Sequence, residues 1–150
     1  MSKAISNKNV ADAKFAPAPF DGPFKAALGR PELKGSWLIF GKSGSGKTTF
    51  ALQLAKYLTR FVDKVAFDSL EQGLSLSMQK AWKRVDMAAA GSKVIFLDKE
   101  SLPELRDRLS KRKSPNVIII DSVICLVGMR LADYQKLMND YPNKQIGRAH

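Results

Sequence analysis

The eight residues Gly41-Lys42-Ser43-Gly44-Ser45-Gly46-Lys47-Thr48 restrict what this chain can fold into more than any other stretch. They follow the apolar run Trp37-Leu38-Ile39-Phe40 and precede a segment that places Phe50, Leu54 and Leu58 on one helical face, with Ala51 and Ala55 beside them. A short apolar run ending at glycines reads as a buried parallel strand, and the stripe predicts a helix from about Lys47 to Phe61. Glycines at 41, 44 and 46 let the backbone curl until its N–H groups converge on one anion. The helix aims its positive dipole end at the same point. Such a loop between strand and helix binds a nucleoside triphosphate, ATP with magnesium being the expected pair. Gly41, Ser43, Gly44, Ser45, Gly46, Lys47, Thr48 and Thr49 line the site; Lys47 reaches the β- and γ-phosphates, and the Thr48 hydroxyl binds Mg2+.

Beyond the loop the chain alternates strand and helix. Lys64-Val65-Ala66-Phe67, Val94-Ile95-Phe96-Leu97 and Val117-Ile118-Ile119-Ile120 are apolar runs of strand length. Leu74, Met78, Trp82 and Val85 recur at helical spacing, with Gly91 after Ala88-Ala89-Ala90 as a helix stop. Ser101-Leu102-Pro103-Glu104 has the spacing of a capping box, followed by the stripe Leu102, Leu105, Leu109. A last amphipathic helix carries Leu131, Tyr134, Leu137, Met138 and Tyr141 and stops at Pro142. Strands separated by helices predict an α/β fold, a parallel sheet flanked by helices with right-handed crossovers.

Two carboxylates stand where the chemistry needs them. Asp121 closes the most apolar strand, and in an open α/β sheet the carboxyl ends of strands face the ligand, so Asp121 is a second candidate for magnesium. Glu71 follows the strand Val65-Ala66-Phe67 within Asp68-Ser69-Leu70-Glu71. If that strand neighbours the Asp121 strand, Glu71 is placed to orient and deprotonate a water. Here the chain resembles the RecA-like P-loop ATPases, in which a Walker A strand is followed by a strand ending in a Ser-x-Glu type motif and a Walker B strand ending Asp-Ser. It shows Ser69-Leu70-Glu71 and Ile119-Ile120-Asp121-Ser122, and is most similar to small bacterial and phage members. The resemblance covers roughly residues 35–143. It implies Glu71 as catalytic base beside Lys47, ATP hydrolysis in a full-length parent, a homo-oligomer in that parent, and coupling to DNA recombination, repair or replication.

Alternatives stay open. Lys42 stands where ParA/MinD-like partitioning ATPases carry a lysine that contacts phosphate across a dimer, but Ser43 and the long preceding arm depart from their pattern. A nucleotide-binding switch without hydrolysis is a third reading. The formal charge of +11 draws nucleic acid, acidic lipid and phosphate-rich ligands alike. Lys80, Lys83 and Arg84 share a helix with Trp82, and Arg106, Arg108, Lys111, Arg112 and Lys113 crowd another. Asp86, Glu104 and Asp107 interrupt both clusters, favouring solvated faces, and no aromatic platform for stacking bases stands out.

Residues 1–34 read as a flexible arm with a short helix at Phe24 to Leu28, and residues 35–144 as the ATPase core. The RecA-like pattern requires one more strand, inserted between the Walker A and Walker B strands. Gln145-Ile146-Gly147-Arg148-Ala149-His150 has neither strand period nor an apolar run. The codons CAG ATC GGA AGA GCA CAC would encode it and resemble a sequencing-library adapter. Residues 145–150 are therefore expected to be a non-native tail, the fold incomplete at the C-terminus, and the truncated chain weakly stable and poor at hydrolysis. His150, the only histidine, receives no catalytic role. The single Cys125 lies in an apolar run and reads as a small buried hydrophobe. No segment has the length of a membrane span and no signal peptide is recognisable, which makes a cytoplasmic location the expectation.

Overall fold

The structure, a computed structural model, describes residues 3–33, 35–39, 46–121, 136, 137, 139–141 and 145–149. Cys125, Lys42, Leu131, Tyr134, Met138 and Pro142 lie outside that set. Two compact units emerge, Met1–Leu33 and Lys34–His150. The first holds the helices α1 (Asn7–Asp12) and α2 (Gly22–Leu28). Ser6 caps α1 by accepting the Asn9 N–H at 3.2 Å. The Ala-Pro tract is tied alongside residues 30–32: Ala18 N–H donates to Pro31 O at 2.7 Å and Arg30 Nε to Phe20 O at 3.4 Å. The expected helix is there, two residues longer at its start, within a segment carrying more local structure than its composition suggests.

The second unit is a parallel sheet with helices between its strands. Its elements are β1 (Gly35–Ile39), α3 (Lys47–Leu58), β2 (Val65–Ser69), α4 (Leu76–Arg84), a 3-10 segment (Met87–Lys93), β3 (Val94–Asp98), α5 (Leu102–Ser110), β4 (Val117–Asp121) and β5 (Gln145–Ala149). The strand order is β1-β5-β4-β2-β3, every pairing parallel. The strands at 65, 94 and 117 fall where the apolar runs predict. The capping box of α5 is formed in both directions, Glu104 N–H to Ser101 Oγ and Ser101 N–H to Glu104 Oε1.

One expectation is overturned. Residues 145–149 form a strand, and that strand occupies the slot between β1 and β4 that was expected to stand empty or to close by direct pairing. A strand flanked on both edges is held by backbone ladders on either side, and those leave no mark in side-chain periodicity. The slot is filled, and the expected weakness, which rested on an open slot, loses that physical basis.

Both faces of the sheet are covered, which is why its central strands read as continuous apolar runs. On one face Ala66, Ile118, Ile120 and Leu97 pack with Leu105 and Leu109 of α5 and with Leu137, bordered by Ile95, Leu102 and Tyr141. Tyr141 N–H donates to Leu137 O at 3.2 Å, a helical contact within the last predicted helix. On the other face Phe67 lies edge-on to Trp82, and Trp82 edge-on to Phe96. Helix α3 buries Ala51, Leu52, Leu54, Ala55 and Leu58 and packs across β2, β4 and β5. These layers fix the start of α3 beside the carboxyl ends of β4 and β2.

Candidate functional site

The site gathers at that edge. Helix α3 opens directly after Gly46, whose φ of 85° lies in the left-handed region that glycine adopts without strain. Gly46 offers no side-chain oxygen to the first-turn amides, and a helix start of this kind suits an anion. One residue into the helix, Thr48 Oγ1 donates to Asp121 Oδ2 at 3.1 Å. Asp121 is buried at the end of β4. Burial raises its pKa above the usual carboxylate range; the Thr48 bond opposes this, Glu71's charge adds to it and Lys47's charge counters it. A desolvated carboxylate of this kind is stabilised by a proton or a cation.

Glu71 reaches the same place by a different route. Strand β2 pairs with β4 in a register that sets Ser69 opposite Asp121. Beyond the strand, the N–H groups of Leu70 and Glu71 donate to the Asp121 carbonyl at 2.6 and 3.4 Å. Glu71 itself is exposed, facing solvent beside the Thr48–Asp121 pair. The structure thus brings together Gly46, Lys47, Thr48 and Thr49 at the head of α3 with Asp121 and Glu71. Gly41, Ser43, Gly44 and Ser45, with Lys42, lie outside the described residues.

Sequence reasoning missed a further layer. Asp68, in the middle of β2, is fully buried; its Oδ1 accepts the Glu100 N–H at 2.9 Å, and nothing among the described residues hydrogen-bonds Oδ2. Burial pushes its pKa up to about 7, against the Glu100 backbone bond, with the charges of Glu100 and Glu104 adding and Arg108 opposing. The available signal was a carboxylate inside the apolar run Val65-Ala66-Phe67. With the folded value raised, the folded state holds the proton more tightly. Stability from this residue is complete below about pH 4 and is lost as pH rises toward about 7, a penalty on the order of a few kcal/mol. Thermal melts should therefore fall between pH 5 and pH 8, and Asp68→Asn should flatten that slope, part of it persisting because Asp121 titrates in the same sense.

Three cations of the second basic cluster are paired with carboxylates. Arg106 pairs with Asp140 at 2.7 Å, Lys111 with Asp107 at 3.0 Å, and Arg108 with Glu100. Trp82 lies between the rings of Phe67 and Phe96 and is therefore a packing residue rather than a platform for bases. Among the described residues no helix is long and apolar enough to cross a membrane.

A left-handed glycine opening α3, a Thr–Asp pair across the carboxyl edge and a strand inserted between β1 and β4 fit a RecA-like P-loop ATPase fold. The chain belongs to the ATPase family associated with various cellular activities (AAA), whose model matches residues 37–144. It is similar to the DNA repair and recombination protein RadB of Methanosphaera stadtmanae, 29% identical over 117 residues, covering 73% of this chain and 48% of that protein. The chain thus spans about half the length of this curated relative. Among solved structures, the flagellar accessory protein FlaH of Methanocaldococcus jannaschii superposes with a TM-score of 0.63 at 16% identity, over 89% of this chain and 70% of the other, a likeness of fold.

Proposed function

We propose that this chain carries the nucleotide site of a RecA-like ATPase that binds ATP with magnesium, hydrolyses it, and couples turnover to work on DNA. The observation that carries the reading is the 3.1 Å contact between Thr48 and Asp121 at the head of α3. A hydroxyl and a buried, desolvated carboxylate side by side are hard oxygen donors, suited to a magnesium ion that also takes phosphate oxygens. Thr48 and Asp121 would hold the ion, and when bound it would neutralise charge on the β- and γ-phosphate oxygens. Lys47 supplies a positive charge for the same phosphates, and the first-turn amides of α3 supply donors. Glu71, exposed beside them, orients a water toward the terminal phosphate and accepts its proton at the carboxylate. The DNA clause is supported by the likeness to RadB.

Nucleotide affinity measured by fluorescence, with and without magnesium, tests the ion site. Magnesium should tighten binding by about tenfold or more in the wild type, and Asp121→Asn should erase that gain. The same variant should melt at a higher temperature without nucleotide, since a buried charge is gone while the backbone carbonyl that receives Leu70 and Glu71 stays. An undiminished magnesium effect in Asp121→Asn removes this residue from the ion site. Turnover unaffected by single- or double-stranded DNA would remove the DNA clause.

A further inference from the structure

The loop that presents Glu71 is held from two sides. On the β4 side it is anchored by the Leu70 and Glu71 amides on the Asp121 carbonyl. Within the loop, Gly73 N–H donates to Ser69 Oγ at 3.1 Å; on the β3 side, Lys99 N–H donates to Ser69 O at 3.2 Å and Leu74 N–H to Asp98 Oδ1 at 2.9 Å. Gly73 makes the turn between the two anchorages, with a φ of 59°. A Cβ added there would stand 2.6 Å from Asp98 Oδ1 and 2.7 Å from Lys99 Cε. The carboxylate of Asp98 and the bare Cα of Gly73 are therefore fitted against each other, at the carboxyl end of a strand that does not itself touch the Thr48–Asp121 pair by any described hydrogen bond.

We propose that Asp98 is a positioning residue for hydrolysis: by receiving the Leu74 amide and seating Gly73, it fixes the loop that holds Glu71 beside Asp121. The inference rests on the reading of Glu71 as the water-activating carboxylate. Glu71 is exposed and its backbone bond to Asp121 is long, so the firm β4 anchor ends at Leu70, one residue before Glu71. The Asp98 tether closes the other side. It works through placement alone and touches neither phosphate nor water. Because Asp98 is exposed, losing its side chain leaves no buried polar group behind, and the fold should survive.

The test uses the full chain, with three readouts: single-turnover ATP hydrolysis, nucleotide affinity, and amide exchange at Gly73 and Leu74. Asp98→Ala should slow hydrolysis by about tenfold to a hundredfold, leave affinity within about twofold, and speed exchange at both amides. Asp98→Asn keeps an acceptor oxygen for Leu74 and should recover most of the rate. Gly73→Ala attacks the same fit from the loop side and should reproduce the loss. In a Glu71→Gln background, Asp98→Ala should cost nothing further, as expected when one residue acts through the other. Unchanged hydrolysis or unchanged exchange in Asp98→Ala overturns the proposal, as does a full additional loss in the Glu71→Gln background. If Glu71→Gln itself leaves turnover intact, or the wild type binds ATP without turning it over, the reading of Glu71 fails and the positioning role falls with it.

Discussion

Glu71→Gln is expected to lower ATP turnover by about 10²–10⁴-fold while leaving nucleotide affinity close to that of the wild type. The amide retains the size of the carboxylate and can still hydrogen-bond a water, but it cannot take the proton. The separation of binding from rate follows from the geometry. On the proposed reading, phosphate contacts would come from the head of α3, whereas Glu71 arrives from the loop after β2, whose amides meet the Asp121 carbonyl. Substituting it leaves Lys47, Thr48 and Asp121 in place. Loss of affinity in step with rate would show that the Glu71 carboxylate serves binding. Turnover equal to the wild type would take the residue out of the chemistry.

The largest structural penalty should come from Phe67→Ala. The ring is fully buried on β2, the strand between β4 and β3, and it meets Trp82 edge-on at 6.4 Å. Trp82 in turn meets Phe96 at 5.5 Å, so the truncation leaves Trp82 with a ring partner on β3 but none on β2. Removing a buried phenylalanine costs about 3–5 kcal/mol, against a total stability of about 5–15 kcal/mol for an ordinary domain. Denaturant unfolding followed by circular dichroism should register a loss of that order. Phe67→Leu, which keeps most of the volume, should lose about a third as much. A cost below about 1 kcal/mol for the alanine variant would mean that α4 closes over the gap, contrary to the tight ring stack.

What the sequence discloses depends on where the physical constraint sits. Val117 to Ile120 declared a strand because both sheet faces are covered and every side chain must be apolar. Ser101 and Glu104 declared a helix start because the cap is a local bond between residues three apart. The juxtaposition of Asp121 and Glu71 was legible because both follow strands at the carboxyl edge of a parallel sheet, and β2 does neighbour β4. By contrast, Gln145–Ala149 is held by backbone ladders to β1 and β4, whose registers are written in no side chain. Asp98 was equally silent: its partner is an amide 24 residues away, and any residue type can stand at that amide. Asp68 was visible as a charge in an apolar run, but its role as the anchor of the Glu100 amide depends on the β2–β3 pairing.

The strand order also governs the sequence of events in assembly. Thr48 and Asp121 are 73 residues apart, and the sheet joins β1 to β4 only through β5, the strand that follows both in the chain. As a nascent polypeptide emerges, β2, β3 and β4 can pair with one another while β1 still waits for its neighbour. Closing so long a span is entropically costly, and it falls late. The proposed magnesium pair therefore joins two elements, the head of α3 and the end of β4, whose strands the sheet links only through β5. On the proposed reading, ATP would favour the sheet in which β5 has joined β1 to β4, because a ligand stabilises the state it binds.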